Sequence, residues 1–463
     1  MANNRTDFGA LVLAAGKGTR MYSSAPKVLQ QLLGEPMLSL VYRALEPLVG
    51  SRIWTVVGFG ADQVASAFPK MNDRFVLQEP QLGTGHALSC AWPVLKGNDL
   101  SWCLVINGDA PLVSAEALQS FADQVMASEA ALGFMSLSLD QPGAYGRVVR
   151  AQDNRVTAIV EARDFDTALH GPDCREVNAG IYCLRLEAVE PLLAKISSDN
   201  AQEEFYITQL VDLCVAAGQD VLAVNCGQDQ ALLGINSPLE LVQSEERLRK
   251  KLVAAWLARG VVIRQGESVR IGPGVHLEPG ASVTGPCEIY GSGHIESGAV
   301  VESHCWIRDT DVGKGARVCS FSHLQQARVG QDCVVGPFAR LRPGASLMQK
   351  ARVGNFVEVK NSLLESGVKV NHLSYIGDAA IGAGANVGAG TITCNYDGKN
   401  KHQTHIGAGA FIGSNTALVA PVTIGDRALV GAGSTITRDV PEDALAVART
   451  RQSNLPKKKV PGR

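Results

Sequence analysis

A glycine-containing loop with basic residues beside it is the first part of the chain whose residue types could carry out chemistry. The segment Leu13–Met21 reads Leu-Ala-Ala-Gly-Lys-Gly-Thr-Arg-Met, and Pro26-Lys27 follows closely. Glycines let a backbone approach a triphosphate, and Arg20 and Lys27 could offset its charge. The loop matches neither the dinucleotide fingerprint nor the Walker pattern. Taken alone, it indicates either a nucleotide-binding loop or a tight turn.

An aspartate follows a second apolar run. Asp109 comes directly after Cys103–Ile106 in the segment Asn107-Gly108-Asp109. In α/β domains ligands bind at the carboxyl ends of the strands, where such a residue would lie. An aspartate in this position is often a turn or capping residue. Together with the glycine loop and Lys27, however, it indicates a metal ligand, because Mg²⁺ is held by few protein oxygens plus substrate phosphates and water.

A cluster of polar residues in the second half is the other candidate for chemistry. A lone histidine usually lies at the surface or in a hydrogen bond, but His372 stands among several polar residues. An imidazole can act as a general base near neutral pH. At about 18 residues per coil of a β-helix, the cluster spans about three coils and could converge on one groove. Its members are Arg342, Lys360, His372, Tyr375, Asn386, Asn395 and Tyr396.

The elements around this cluster repeat with a period of six. Aliphatic residues return every sixth position from Ile271 to Ile307, from Val329 to Val359 and from Ile406 to Ile436. This period fits neither an amphipathic helix nor a simple alternating strand, and it is typical of a hexapeptide β-helix. The ladder is interrupted between Ile392 and Ile406, and such interruptions are common places for function.

The first half has a different pattern. Strand-like runs at Ala10–Leu13, Ile53–Val57 and Cys103–Ile106 alternate with helical spacing at Pro36–Leu48 and Ala115–Met126. The alternation predicts a three-layer α/β domain with a mostly parallel sheet. A long helix over Ser237–Arg259, with Leu241, Leu248, Leu252 and Trp256 along one face, would join the halves. We therefore predict a nucleotidyltransferase domain over 1–236, a linking helix over 237–260 and a β-helix acetyltransferase domain with a tail over 261–463.

Composition excludes several classes of protein. The chain has 463 residues and a formal charge of −2, and its one basic run, Lys457–Lys459, is interpreted as a solvated terminus, so no nucleic-acid partner is expected. No apolar stretch reaches the about 18 residues that a membrane span needs. The 11 cysteines form no Cys-x-x-Cys pair, which argues against a zinc site or a disulfide framework. A bacterial cytoplasm is the expected compartment.

The motifs of the first half resemble the sugar-phosphate nucleotidyltransferases, and Gln81–His86 resembles the uracil loop of their uridylyltransferase branch. With the β-helix, the whole set is similar to a family of bifunctional enzymes. Their activities are N-acetylglucosamine-1-phosphate uridylyltransferase and glucosamine-1-phosphate acetyltransferase. The resemblance implies a Rossmann-like domain followed by a left-handed parallel β-helix. It implies Mg²⁺ on Asp109 and Asn236. It places UTP or the UDP-sugar on Leu13, Ala14, Ala15, Gly16, Gly18, Arg20, Lys27, Gln78, Gly83, Thr84, Asn107, Gly108, Asp109, Gly146, Glu161, Asn178 and Asn236.

The same resemblance assigns roles in the second half, where the setting Asn371–Tyr375 matches the acetyltransferase motif. His372 would be the general base that activates the amine of glucosamine 1-phosphate against acetyl-CoA. Arg342, Lys360, Tyr375 and Asn386 would hold the sugar phosphate. Acetyl-CoA would lie against Ala389, Asn395, Tyr396, Ser414, Ala432 and Arg449. Such acyltransferases work as trimers, so a homotrimer is implied.

Two other interpretations stay open at this point. The chain could be a nucleotidyltransferase for another sugar or base with a structural β-helix, or a non-catalytic assembly subunit built on the same folds. His372 and the Asn395-Tyr396 loop argue against the first, and Lys27 and Asp109 argue against the second. Asn107 and Ala179 depart from the family pattern, which leaves the sugar preference open.

Overall fold

The chain forms two compact units, which are described separately. The computed structural model describes residues 7–170 and 174–456, so the basic run 457–459 lies outside the described residues. The units are Met1–Leu248 and Arg249–Arg463. Their division falls within a long helix rather than at either end of it, and the functional boundaries predicted from the sequence stay a prediction.

The first unit is an α/β domain around one twisted sheet. The predicted strands are present within a residue or two of their expected bounds, and the strands run in the spatial order β11-β7-β10-β6-β1-β4-β5, with the pair β8-β9 attached to β10. A short hairpin is formed by β2 and β3. The strands are β1 (Phe8–Ala14), β2 (Gln31–Leu32), β3 (Glu35–Pro36), β4 (Ile53–Val57), β5 (Phe75–Leu77), β6 (Trp102–Asn107), β7 (Leu132–Ser138), β8 (Arg147–Arg150), β9 (Val156–Val160), β10 (Glu176–Arg185) and β11 (Val221–Asn225).

Helices cover both faces of this sheet. The predicted helix Ala115–Met126 has the expected bounds, and Ser114 caps it by accepting a hydrogen bond from the backbone of Ala117. The helices are α1 (Met37–Val49), α2 (Ala61–Ala67), α3 (Thr84–Lys96), α4 (Ala115–Met126), α5 (Thr167–His170), α6 (Leu186–Leu193), α7 (Gln209–Ala216) and α8 (Pro238–Ala258).

The sheet is mixed. β1, β4, β5 and β6 are parallel neighbours, but β10 runs antiparallel between β6 and β7. Strands β1, β4 and β6 are buried on both faces and therefore read as continuous apolar runs. Strand β10 has no such continuous apolar run, because its residues alternate between buried and half-buried up to Ile181. Asn178, Ala179 and Gly180 of this strand line a cavity.

The second unit is a three-sided parallel β-helix, which confirms the period-six prediction. We call its sides the first, second and third face, in the order in which the chain visits them. The first face is built by Val262–Arg264, Ser282–Thr284, Val300–Val301, Arg317–Val318, Val334–Val335, Arg352–Asn355, Lys369–His372, Asn386–Val387, Phe411–Ile412, Leu429–Val430 and Leu445–Ala446. The second face is built by Val269–Ile271, Cys287–Tyr290, Cys305–Arg308, His323–Gln325, Arg340–Leu341, Glu358–Lys360, Tyr375–Gly377, Ile392–Cys394, Ala417–Val419 and Thr435–Ile436. The third face is built by His276–Leu277, His294–Ile295, Asp311–Val312, Arg328–Val329, Ala345–Leu347, Ser362–Leu364, Ala379–Ile381, Thr404–Ile406 and Val422–Ile424.

The aliphatic ladder fills the interior of this helix. Residues such as Ile289, Val335 and Ile412 are fully buried. Each stacks on an equivalent residue one coil away, as Ile289 pairs with Ile307 and Val335 with Val353. The apolar side chains that drive folding are thus removed from water in continuous columns. The predicted fold class is confirmed.

The interrupted coil departs from the simple ladder. Ile392 is 47% exposed, and the inward position belongs to Thr393, which is fully buried. The Thr393 hydroxyl accepts a hydrogen bond from the Gly377 amide at 2.8 Å and lies 3.0 Å from the Gly377 carbonyl, to which it donates. Because a β-strand alternates its sides, the register that pairs Tyr375 with Ile392 turns Ile392 outward.

Within the described ranges, several classes of feature are absent. No helix there is long and apolar enough to cross a membrane. No group of three or more His, Cys, Asp or Glu side chains there could hold a metal ion. All cysteines are free.

Candidate active sites

The first candidate site lies at the carboxyl edge of the parallel strands. β1 pairs with β6 so that Leu13 lies beside Asn107, and the Gly108 amide donates to the Leu13 carbonyl at 2.9 Å. The glycine loop after β1 and the segment Asn107–Asp109 after β6 therefore emerge side by side. This is the ligand edge of an open α/β sheet.

A cation and two oxygens meet at this edge. The Lys27 ammonium forms an ion pair with Asp109 Oδ2. The same ammonium donates to Asn236 Oδ1 at 2.6 Å. The structure thus brings together three residues from separate parts of the sequence, all of which the resemblance assigns to the nucleotide site.

The second oxygen of Asp109 lacks a partner. Oδ1 is buried and has no hydrogen-bond donor within the part of the chain that the structure describes. A Cβ atom on Gly234 would lie 2.6 Å from this oxygen, so a larger residue there would displace the Asp109 carboxylate. Buried carboxylate oxygens are costly without a partner, which makes this atom a candidate ligand for a cation.

A cavity of about 610 Å³ extends from these residues over the glycine loop. It contains most of the residues predicted to hold UTP and Gln81 of the predicted uracil loop, and it also includes Lys17 and Glu204, to which the sequence assigned no role. Gly108 is not on its wall. The wall is formed by Leu13, Ala14, Ala15, Gly16, Lys17, Gly18, Thr19, Arg20, Lys27, Val28, Gln78, Gln81, Gly83, Thr84, Ala87, Asn107, Asp109, Glu204 and Asn236.

The loop at one end of this cavity is rigidly held. Phe205 donates its amide to the Leu82 carbonyl at 2.8 Å and accepts from the Gly85 amide at 2.7 Å. Gly83 has φ of +110°, and a Cβ there would lie 2.5 Å from the Phe205 carbonyl oxygen. Thr84 Oγ1 accepts from the Ile207 amide at 3.0 Å. The position of Gly83 and Thr84 therefore depends on the segment Phe205–Thr208.

A second cavity, of about 410 Å³, adjoins the first and shares Arg20, Thr84, Asn107, Asp109 and Asn236 with it. Its wall contains Gly146, Glu161 and Asn178, three predicted UDP-sugar residues that the first cavity lacks. The additional residues of this wall are Gly143, Ala144, Tyr145, Gly146, Glu161, Asn178, Ala179, Gly180, Tyr182, Ile207, Thr208, Gly234 and Glu240.

Two of these residues have defined partners. Burial raises the pKa of Glu161 above its ordinary value, and a hydrogen bond from Thr208 Oγ1 at 3.1 Å opposes that shift. The Asn178 amide nitrogen donates to the Tyr182 hydroxyl at 2.6 Å, and its oxygen accepts from the Gly180 amide. Asn178 is therefore held in place by its own strand.

The sequence reasoning missed Glu240. Its carboxylate accepts from the Asn236 amide at 2.6 Å, while the Ser237 hydroxyl accepts from the Glu240 amide at 3.2 Å. This pattern resembles a capping box at the start of α8, except that the glutamate reaches the backbone of Asn236, one residue before the capping Ser237. The Ser-x-x-Glu spacing of Ser237 and Glu240 was the signal that could have found it.

The second candidate site begins at the corner between the first and second faces of the β-helix. His372 pairs in register with Asn355, and His372 Nδ1 lies 2.8 Å from Asn355 Oδ1. Ala389, Ser414 and Ala432 occupy the same corner on the following coils, because Asn415 donates to Ala389 and Gly433 donates to Ser414. Arg449 donates to the Ala432 carbonyl at 2.5 Å. Four of the residues predicted to bind the coenzyme, Ala389, Ser414, Ala432 and Arg449, thus follow His372 along one corner, whereas Asn395 and Tyr396 lie in the interrupting loop.

The predicted phosphate-binding cations lie at the next corner. Arg342 is paired with Glu358 at 2.8 Å. The neighbouring Lys401 ammonium lowers the pKa of Lys360, and Arg342 adds to this effect. Lys401 was not predicted, although it lies in the loop that interrupts the ladder. Like charges held together in this way favour binding of an anion.

The base of the interrupting loop is fixed beside these cations. Asp378 accepts from both Asn361 and Asn395 at 2.5 Å. Burial alone would raise the pKa of Asp378, but these hydrogen bonds lower it below its ordinary value. Tyr396, which is 61% exposed, forms an antiparallel backbone β-bridge with Lys401, and its hydroxyl donates to the Gly398 carbonyl at 2.6 Å.

The predicted acetyl-site residues lie on two faces of the β-helix. Tyr375 lies on the second face, between the corner of His372 and that of Lys360. Asn386 opens a strand of the first face, where it pairs with Lys369, three residues before His372. Among the described residues no hydrogen bond or ion pair links His372 with Arg342, Lys360 or Asn386. The convergence of these residues on one groove therefore stays a prediction.

Exposed rings stack along the His372 corner. The rings of Phe321 and Phe338 are 4.9 Å apart, and those of Phe338 and Phe356 are 5.4 Å apart. Phe321, Phe338, Phe356 and Leu373 are 46–61% exposed. We call these four residues the apolar column. Large exposed apolar surfaces of this kind mark interaction sites.

The fold and the two sites define a nucleotidyltransferase joined to a hexapeptide-repeat transferase. The MobA-like NTP transferase domain family matches residues 10–174, and the bacterial transferase hexapeptide family matches residues 403–438. These matches agree with the cavity-bearing unit and with the β-helix.

Relatives of known name match nearly the whole chain. A bifunctional protein GlmU of Nitratidesulfovibrio vulgaris is 58% identical over 97% of this chain and 98% of its own length. Proteins of the same name from Oleidesulfovibrio alaskensis and Lawsonia intracellularis are 55% and 46% identical over 99% and 98% of this chain, and 99% of each of them is covered.

The chain therefore belongs to the family of bifunctional GlmU proteins. This confirms the family predicted from the motifs, and with it an enzyme that combines uridylyltransferase and acetyltransferase activities. The interpretation as a nucleotidyltransferase with an inert β-helix is not favoured.

Proposed function

We propose that the first unit couples N-acetylglucosamine 1-phosphate to UTP at the junction of its two cavities. The observation that supports this is the contact of Lys27 with Asp109 and Asn236 at that junction. The larger cavity would hold the nucleotide, and the smaller one would hold the sugar near Gly146, Glu161 and Asn178. The reacting phosphates would then lie at the residues that both cavities share.

Asp109 and Asn236 would hold a Mg²⁺ ion. They offer carboxylate and amide oxygens, and the unpartnered Asp109 Oδ1 fits a hard cation. When bound, the ion would neutralise charge on the phosphates of UTP. Two protein oxygens are enough, because Mg²⁺ keeps waters and takes further oxygens from phosphates.

The reaction is an in-line displacement. A phosphate oxygen of the sugar phosphate bonds to the α-phosphorus of UTP, the bond from that phosphorus to the bridging oxygen breaks, and pyrophosphate leaves. Lys27 and Arg20 would neutralise the phosphates and hold them in line. Catalysis of this kind depends on positioning and charge more than on covalent participation of the protein.

Asp109→Ala tests this site. We expect pyrophosphate release from UTP and N-acetylglucosamine 1-phosphate to fall about 10³-fold, since an electrostatic partner of the phosphates is lost. CoA release from acetyl-CoA and glucosamine 1-phosphate should be unchanged. Asp62→Ala, at an exposed position of α2, is the matched control. A normal rate of pyrophosphate release in the Asp109 variant would contradict the assignment.

For the second unit we propose acetylation of glucosamine 1-phosphate, with His372 as the general base. With Asn355 Oδ1 accepting from Nδ1–H, the neutral imidazole leaves Nε2 free to accept a proton. The amine attacks the thioester carbonyl, the carbon–sulfur bond breaks and CoA leaves, while Nε2 takes the proton from the nitrogen. Asn355 would act as a positioning residue.

The remaining residues of this site would bind the two substrates. Arg342 and Lys360, with Tyr375 and Asn386, would hold the sugar phosphate. The column of Ala389, Ser414 and Ala432 presents small side chains along which an extended coenzyme could lie, with Arg449 near its phosphates. Asn395 and Tyr396 would border the acetyl group.

His372→Ala tests the base. We expect CoA release to fall about 10²–10⁴-fold, as is usual when a general base is removed. His405→Ala, on an exposed position of the third face, is the control and should retain activity. If the unaltered protein releases pyrophosphate but never CoA, the β-helix is a scaffold and this proposal is wrong.

The active enzyme would be a homotrimer. Two observations support assembly: the apolar column is exposed, and Asn386 lies on a different face from Lys360. We propose that His372, Tyr375 and Lys360 of one copy face Asn386 of the next. Phe338→Glu should lower the mass measured by sedimentation and abolish CoA release, whereas Leu169→Glu, on exposed α5, should do neither. A trimer that survives Phe338→Glu would exclude the column as the interface.

A cytoplasmic location, with the acetylated product used by the first unit, completes the proposal. Both sites use phosphorylated sugars and cytosolic co-substrates, so no transport step is needed between them.

A further inference from the structure

The amide of Gln78 is held from one side by two acceptors. Its nitrogen donates to the Gly83 carbonyl at 2.9 Å and lies 3.1 Å from His86 Nδ1. Gln78 is only 2% exposed, so its amide group has little freedom to find other partners in water. Both amide hydrogens are therefore directed towards α3 and the loop that precedes it.

The other atom of the amide has no such restraint. Gln78 lines the nucleotide cavity, and within the described residues no protein donor contacts its oxygen, Oε1. Because both hydrogens of the nitrogen are engaged, Oε1 is the atom left for a ligand. A carboxamide oxygen accepts hydrogen bonds and cannot donate them.

The tautomer of His86 follows from the same contacts. Nδ1 must accept, because the Gln78 nitrogen can only donate. The neutral ring therefore carries its proton on Nε2, which lies 3.6 Å from Cys90 Sγ, one turn further along α3. The ring of His86 also lies against that of Phe205, with 6.3 Å between centroids. Contacts with Gln78, Cys90 and Phe205 thus hold the His86 ring in the tautomer whose Nδ1 accepts from Gln78.

We infer that His86 is a positioning residue that makes the nucleotide site select uracil over cytosine, by fixing Gln78 with its oxygen towards the base. This inference rests on the proposed function of the first unit and deepens it. Uracil has a hydrogen on N3 and donates there, whereas N3 of cytosine accepts. A Gln78 Oε1 that faces the base therefore accepts a hydrogen bond from N3 of uracil and repels N3 of cytosine, whereas a flipped amide would do the reverse.

Without the acceptor at His86 Nδ1, the Gly83 carbonyl is the acceptor that remains for the Gln78 amide nitrogen among the described residues. Rotation of the Gln78 amide by 180° then costs less free energy. His86→Leu removes the acceptor while keeping an apolar side chain of similar reach. We expect the ratio of kcat/KM for UTP to that for CTP to fall about tenfold, the effect of one hydrogen bond. In this variant kcat/KM for CTP should itself rise, which a site that is merely weakened would not show.

Two further substitutions test the chemistry. His86→Asn places an amide oxygen near the position of Nδ1 and should restore most of the selectivity. His86→Gln places its oxygen further out, near Nε2, and should not, so it serves as a second test if the leucine variant folds poorly. Ser89→Ala is the matched control on the same helix, since its hydroxyl donates only to the Gly85 carbonyl, and it should leave the ratio unchanged.

The outcomes separate the inference from the function on which it rests. If the unaltered protein uses UTP and CTP equally, or if Gln78→Ala leaves the ratio unchanged, the inferred pairing of Gln78 Oε1 with uracil fails, while pyrophosphate release from UTP still supports the proposed function. If Gln78→Ala lowers the ratio but His86→Leu does not, only the role of His86 is overturned. An equal fall of both kcat/KM values in His86→Leu also overturns it, because a structural defect would weaken both nucleotides alike.

Discussion

The two halves of this chain build their sites in opposite ways. In the first unit, loops from separate strands meet at one sheet edge, and Lys27, Asp109 and Asn236 touch within one chain. In the second unit, the predicted residues are spread over the outer corners and faces of a solenoid. An open parallel sheet concentrates strand ends, whereas a β-helix repeats positions along its length. We therefore expect the first site to be complete within one chain and the second to need the surface of another copy, as proposed above.

Mixed trimers of two inactive variants test most directly whether the second site is shared between copies. His372→Ala and Asn386→Ala should each lower CoA release, the former about 10²–10⁴-fold. In random mixed trimers, about a quarter of the sites would combine an intact His372 with an intact Asn386 from the next copy. Co-expression of the two variants, followed by the CoA assay, should therefore restore part of the activity.

The matching experiment in the first unit should fail. Lys27→Ala and Asp109→Ala lie in one site of one chain, so co-expression should not restore pyrophosphate release. Complementation between Lys27→Ala and Asp109→Ala would contradict a first site built within one chain. A lack of complementation between His372→Ala and Asn386→Ala would contradict a second site shared between copies.

The rigidity of the first site can be tested at Gly83. Gly83→Ala places a Cβ 2.5 Å from the Phe205 carbonyl at a φ of +110°. Displacing the base loop should lower kcat/KM for UTP about 10²-fold, because small misplacements of bound groups are costly. Gly218→Ala has a comparable positive φ with no atom nearby, so it should cost some stability and no activity. Steady-state kinetics and thermal melts distinguish the two effects.

Glu161 should give the first site a pH dependence of its own. Burial raises its pKa, so the carboxylate that would accept from the sugar forms only above the usual range of a glutamate. We expect kcat/KM for the sugar phosphate to rise with pH through that raised pKa. Glu161→Gln should remove this acid limb and lower the plateau about tenfold.

The same shift has a consequence for stability. A folded-state pKa above the unfolded value means that the folded state gains from protonation of Glu161. This gain is present at low pH and is lost as the pH rises through the folded pKa. The melting temperature of Glu161→Gln should therefore exceed that of the parent at neutral pH, and the difference should shrink in acid. An unchanged acid limb in the variant would assign it to another group.

The smallest effect is expected at Thr393, inside the second unit. Thr393→Val removes two buried hydrogen bonds with the backbone of Gly377. The loss should cost about 1–3 kcal/mol of unfolding free energy, since the Gly377 groups are left without a partner. Thr435→Val, at an exposed position of the same face, should change stability little. Denaturant unfolding checks both, and pyrophosphate release should be unchanged in each.

Much of this protein was determined by its sequence alone. The period of six specified the β-helix, because only a three-sided solenoid turns every sixth residue inward. The apolar runs of β1, β4 and β6 specified a sheet buried on both faces, and the motifs around Lys27, Asp109 and His372 identified the family. These patterns are local, so they can be recognised without the tertiary structure. Within a strand or a repeat, a residue's place in the pattern determines which way its side chain points.

The tertiary structure decided what depends on contacts between distant segments. The antiparallel insertion of β10 and the inward turn of Thr393 follow from strand pairing, which has no local signature. The same is true of Lys401 beside Lys360, and of Gln78 held by His86. Sequence spacing predicts one groove for the acetyl-site residues, and this stays a prediction. The face on which each residue lies was decided by strand register, which puts Asn386 on the first face and Tyr375 and Lys360 on the second, because the chain changes direction at every corner of a coil.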